Sequence, residues 1–149
     1  MVKISDLISL DCIKILDVNE KETALKEIIQ MLSKTDTIKD AAELEKAIFE
    51  RESIMSTSIG LGVAIPHVRL KNVINMAMAI GISKEGIDYK ALDDQKVNII
   101  IMIAAPEGTH REYLRILAKI ALLLKNDSIR ESIINAQSPH DIYNILKDH

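Results

Sequence analysis

Apolar and polar residues alternate through Cys12–Val18 (CIKILDV), a pattern that predicts a short strand. Asn19 follows, with Glu22 three positions on, and the pair reads as a capping box that opens a helix. The period then changes. Ala24, Leu25, Ile28, Ile29 and Leu32 recur at helical spacing and give that helix one apolar face. A second helix begins near Asp40, where Glu43 completes a cap-like pair and Leu44, Ala47, Ile48 and Arg51 follow at helical steps. This puts Arg51 near a helix C-terminus.

Two apolar segments, NMAMAIGIS from Asn75 and VNIIIMIAA from Val97, predict strands. The second is polar only at Asn98, so it is expected to be covered on both faces. Gly86–Gln95 (GIDYKALDDQ) reads as the turn-rich connection between them, and Pro106 with Gly108 ends the second strand. Thr109 and Glu112 form a third capping box, opening a helix whose apolar positions are Leu114, Leu117, Ala118, Ala121 and Leu122. Two short helices close the chain, the last opening at Ser138-Pro139, where serine caps and proline fits the first turn. Strands separated by helices imply an α/β layered architecture, with the strand order left open.

Composition narrows the class. With 149 residues and 48% hydrophobic content, one domain over residues 1–149 can bury a core without metal or disulfide staples. Nineteen basic against 22 acidic residues give a formal net charge of −3, mixed along the chain, so no electrostatic footprint for nucleic acid is visible. A single cysteine, Cys12, fits a reducing compartment. The N-terminal MVKISDLISLD lacks the features of a signal peptide, and runs such as IIIMIAA are far shorter than the ~20 residues a spanning helix requires. A cytoplasmic protein with no direct membrane insertion is expected.

Candidate chemistry concentrates in Ser56–Leu70 (STSIGLGVAIPHVRL). Gly60 and Gly62 permit positive φ, so the segment is either a tight turn between core elements or an N–H-rich cradle for an anion. The pair lacks the third glycine of a dinucleotide fingerprint and the Gly-Lys-Ser/Thr of a nucleotide loop. Pro66 restricts the backbone entering His67, so the imidazole points reproducibly. Imidazole is largely neutral at pH 7 and can act as a nucleophile without a separate base; the alternative is a hydrogen-bonded structural side chain. Arg51, Arg69, Ser56, Thr57 and Ser58 can supply a phosphate cradle, or the arginines can be solvated surface charges. His110 lies at the start of a capped helix, where N–H groups favour an anion. The histidines form no His-x-x-x-His pair and there is no cysteine cluster, so neither metal nor cofactor is implied.

Read together, RESIMSTSIGLGVAIPH and MIAAPEGTHREYLRILAKIA resemble the IIA domain of the bacterial phosphoenolpyruvate-dependent sugar phosphotransferase system, mannitol/fructose type, over nearly the whole chain. The resemblance implies a three-layer sandwich in which a mixed sheet is flanked by helices on both faces. It implies that His67 is the phosphorylated residue, that Arg51 stabilises the phosphate, and that Thr57, Gly60 and Gly62 shape the surrounding loop. It further implies phospho-HPr as donor, a IIB protein or domain as acceptor, and indirect membrane association through a IIC permease. Val63, Ile65 and Val68 are candidates for an apolar docking rim around His67, or else core. The pattern departs from the family at three places: Tyr113 where a second active-site histidine is frequent, Leu61 where asparagine is common, and Met55 where glycine is common. A phosphocarrier for sugar uptake is the leading expectation. The alternative is a nitrogen-related regulator of the same family, whose phosphorylation changes which target it binds.

Overall fold

The computed structural model describes residues 3–149. Its centre is the strand β6 (Val97–Pro106), whose alternate residues fill two different cores. Ile100, Met102 and Ala104 face one way; Ile99, Ile101, Ile103 and Ala105 face the other. A strand covered on both sides is the reason this segment is apolar almost without interruption.

Around it lie β1 (Ile13–Ile15), β2 (Ser58–Gly60), β3 (Val63–Ala64), β4 (His67–Leu70) and β5 (Ala77–Ile87). The order is β1-β5-β6-β3-β2, with β4 also paired to β6. β5 runs antiparallel along one edge of β6, while β3 and β4 run parallel along the other, beside Ile99–Ile100 and Ile103–Pro106 respectively. Helices α1 (Lys21–Ser33) and α2 (Ala41–Ile54) cover one face through Leu25, Ile28, Leu44 and Ile48. Helices α3 (His110–Leu123), α4 (Asp127–Ile134) and α5 (Pro139–Leu146) cover the other through Ile116, Ile120, Ile133 and Ile142. The expected three-layer sandwich with a mixed sheet is present. Among the described residues, no helix is long and apolar enough to cross a membrane.

Several local expectations are corrected. Cys12, itself buried, belongs to a 3-10 turn (Leu10–Cys12) before β1, not to the strand. The Asn19 capping box does not form: α1 is N-capped by Glu20 without a side-chain bond, because the Asn19 carbonyl accepts from the Asp88 N–H and Glu20 bridges Asp88. Asp40 does cap α2, accepting from the Glu43 N–H at 3.1 Å. β5 runs on through Ile87, taking the start of the expected connection into the sheet. Thr109 makes no cap bond, since its hydroxyl turns back to the Pro106 carbonyl at 2.7 Å. The inward face of α3 is Tyr113, Ile116 and Ile120, leaving Leu114 (49%) and Leu122 (71%) exposed. Ser138 caps α5 as expected.

Candidate functional site

β4 is held by β6 on one edge, with His67 opposite Ile103 and Arg69 opposite Ala105. Side chains alternate along a strand, so His67 and Arg69 share the face toward α3, while Val68 turns to the other core. Val63, Ile65 and Val68 are all buried; Val63 and Ile65 are core and not an exposed rim, while Val68 also lines the His67 cleft. His67 itself is half-buried.

The His67 ring is oriented by its own backbone. Nδ1 lies 2.6 Å from the Ile65 carbonyl oxygen. A carbonyl only accepts, so Nδ1 carries the proton and donates, which leaves the Nε2 lone pair as the reactive site of the neutral ring. Pro66 sits between the two partners, and its fixed φ keeps the loop that closes this bond short and stiff.

The ring lines an open cleft of about 600 Å³, together with Ala47, Arg51, Arg69, Glu107, Gly108 and Tyr113. Arg51 reaches it from the last turn of α2, where its Nη1 also donates to the Met55 carbonyl at 2.9 Å and so holds the helix end. Arg69 is fixed differently: Nη1 contacts His110 Nδ1 at 2.8 Å, and the guanidinium lies 5.4 Å from the centre of the Tyr113 ring. A guanidinium has no acceptor, so His110 accepts on Nδ1. His110 thus holds Arg69 and is not among the cleft's lining residues. Two guanidinia face one carboxylate, Glu107, giving the cleft an anion-binding balance.

Tyr113 stands 5.7 Å from the His67 ring centre, tilted by 55°. It is buried, and that burial pushes its phenol up to about 12, against the partial opposition of Arg69 and Arg51. A neutral phenol thus stands beside the imidazole. The fold favours the neutral form, so this contribution to stability is complete below the ordinary value of 10.0 and is lost as pH rises through about 12. Ultraviolet titration of the protein against Tyr113→Phe should isolate a phenol with a midpoint near 12; a difference midpoint at the ordinary value would exclude its burial.

Other expected residues lie elsewhere. Gly62 accepts from the Asn98 N–H, five residues before the Ile103 that pairs with His67, which separates them by roughly 16 Å along β6. Gly60 approaches Asp93 at the same far end. Both glycines adopt positive φ, as does Leu61 between them at +61°. Asparagine tolerates that conformation better than leucine. The glycine turn therefore shapes a hairpin and presents no N–H groups to the His67 cleft. Ser56 and Ser58 are not among the residues lining it either; the Ser56 hydroxyl accepts from the Ser58 N–H at 3.2 Å. Thr57 is buried, joined to Glu52 and Tyr89. Ala47, Glu107 and Gly108 were not anticipated; Gly108, at φ +91°, makes the turn that brings α3 to the cleft, and the Pro-Glu-Gly sequence was its visible signal.

Residues 6–149 match the profile of the family described as phosphoenolpyruvate-dependent sugar phosphotransferase system, EIIA 2. The chain is 38% identical over 149 residues to a fructose-specific EIIABC component from Bacillus subtilis, covering 99% of this chain and 24% of that protein. It thus spans about a quarter of that relative's length. It is 33% identical to a nitrogen regulatory protein from Bradyrhizobium diazoefficiens, covering 96% of this chain and 94% of the relative. In structure it is similar to the nitrogen regulatory protein IIA-Ntr of Neisseria meningitidis, with a TM-score of 0.89, 30% identity, and coverage of 96% of this chain and 98% of the other.

Proposed function

The chain belongs to the EIIA type 2 family of the phosphoenolpyruvate-dependent sugar phosphotransferase system, and from that premise we propose that it carries a phosphoryl group on Nε2 of His67. The observation that carries the reading is the Nδ1 contact to the Ile65 carbonyl, which leaves one free lone pair on a ring that lines an arginine-bearing cleft. The donor is the phosphohistidine of HPr. The His67 Nε2 lone pair forms the new P–N bond as the donor's P–N bond breaks, and that bond's electron pair returns to the donor imidazole. Arg51 grips phosphoryl oxygens throughout, and Arg69, fixed by His110, adds positive charge from the α3 side. Tyr113 supports the ring without charge.

The second half-reaction delivers the group to a IIB protein or domain. The name of the Bacillus relative joins EIIA to B and C components, which supports IIB as acceptor and a IIC permease as the route of membrane association for a cytoplasmic carrier. A regulatory role is supported by a different observation: the nitrogen regulatory proteins match over nearly their whole lengths. There, a charge of about −1.5 to −2 gained at His67 changes target binding and no sugar is involved.

Incubation with phosphoenolpyruvate, enzyme I and HPr should add one acid-labile phosphate, and subsequent addition of fructose- and mannitol-type IIB proteins separates the roles. Rapid departure of label to IIB supports the carrier. Label retained against every IIB supports the regulator, and no labelling at all excludes both.

A further inference from the structure

Arg51 and Glu52 are neighbours on α2 but point apart: Arg51 lines the His67 cleft, while Glu52 enters the interior with its side chain 4% exposed. Its Oε1 receives two groups, the Lys21 ammonium at 3.0 Å and the Thr57 backbone N–H at 3.2 Å. Its Oε2 is buried with no hydrogen-bond partner. Leaving a carboxylate oxygen unpaired in the interior costs stability, and an apolar residue of similar size would avoid that cost. Packing alone gives no reason for an acid here.

The polar surroundings extend from Glu52 in two directions. Toward α1, Lys21 lies 4.4 Å above the Tyr89 ring, and the Tyr89 hydroxyl meets Thr57 Oγ1 at 3.0 Å. Burial, followed by the Glu52 charge, drives the Tyr89 phenol far above its ordinary range, so it remains a neutral partner. Toward the cleft, the Thr57 carbonyl accepts from the Ile65 N–H at 3.1 Å, and the Ile65 carbonyl accepts from His67 Nδ1 at 2.6 Å. One residue thus hands over to the next: Glu52 fixes Thr57, Thr57 fixes Ile65, and Ile65 fixes the imidazole.

We infer that Glu52, with Lys21 as its counter-ion, is a positioning residue for the nucleophile, setting the tautomer and orientation of the His67 ring through the backbone of Thr57 and Ile65. The inference rests on His67 being the phosphoryl-bearing residue. It assigns a use to the buried acid that a capping or packing role does not. The same helix end then serves the reaction twice, with Arg51 meeting the phosphate and Glu52 holding the ring that receives it. Misplacing a nucleophile by a fraction of an ångström slows the chemical step without weakening donor docking.

Glu52→Leu should lower the maximal rate of phosphorylation about tenfold while leaving the KM for phospho-HPr unchanged. NMR of the imidazole nitrogens should show a single Nδ1–H tautomer of neutral His67 in the parent protein and a mixture in Glu52→Leu. Glu52→Gln keeps an oxygen for the Thr57 N–H and should recover most of the rate and the single tautomer. A folded Glu52→Leu with the parent rate and tautomer would overturn the inference. If that variant does not fold, amide exchange in the parent protein decides: slow exchange at both Thr57 and Ile65 supports the relay, and fast exchange at either breaks it. The tautomer is read without any donor, so a failed phosphorylation assay leaves that reading intact. Normal phosphorylation with an unmoved ring spectrum rejects the positioning role alone.

Discussion

His67→Ala should abolish phosphoenolpyruvate-driven labelling, with a loss of more than about 10³-fold, while the protein keeps its fold. The fold is expected to survive because the ring is half-buried and its one hydrogen bond is to a neighbouring carbonyl, worth about 1 kcal/mol net. The chemical loss is expected to be near total because no other imidazole or thiol among the described residues lines the arginine-bearing cleft. Cys12 is buried in the core on the α1 side, and that burial raises its thiol above the ordinary value, disfavouring the reactive thiolate. His110 Nδ1 is engaged by Arg69, and His140 and His149 lie on or beyond α5. Quantitative labelling with circular dichroism on the same samples checks both halves. Labelling that persists in a folded His67→Ala would remove His67 from the reaction and with it the role given to Arg51.

The layered architecture was readable because β6 and the helices α1, α2 and α5 carry their periodicity in their own residues. An unbroken run such as Ile99–Ala105 has one stable environment, between two layers. The short strands β2, β3 and β4 were not readable, since each exists only by pairing with a neighbour, and local sequence shows just glycines and a proline. The face of α3 shows a related ambiguity. Tyr113, Ile116 and Ile120 form one apolar stripe and Leu114, Ala118 and Leu122 another, and the sheet decides which is buried.

The site divides along the same line. The order of residues from Arg51 to His67 pointed to two members of the cleft, because proline and helix spacing constrain them locally. The glycine turn stood open between a tight turn and a cradle, since a sequence does not show that the hairpin carries it to the far end of β6. Glu52 carries no local sign of its burial, because its counter-ion, Lys21, lies 31 residues before it in the chain, and the Tyr89 ring under that ammonium 37 after.

Arg51→Ala should slow phosphorylation of His67 by about 10²–10³-fold, the usual consequence of removing one preorganised donor from a developing charge. Arg51 is the cleft cation whose remaining N–H groups are not tied to another side chain, since its structural bond is a single donation to the Met55 carbonyl. Arg51→Lys should recover only part of the rate, because an ammonium supplies charge without the two-pronged grip on adjacent oxygens. Arg69→Ala should cost less than Arg51→Ala: its guanidinium is committed to His110 and lies against Tyr113, so it contributes field more than contact. Rapid-quench single turnovers with saturating phospho-HPr measure the chemical step in all three variants. Loss of the Met55 bond lowers stability by only about 1 kcal/mol, so unfolding does not mimic the effect. If Arg69→Ala proves the slower enzyme, the phosphoryl oxygens are held from the α3 side of the cleft, and Arg51 is a cap for its own helix.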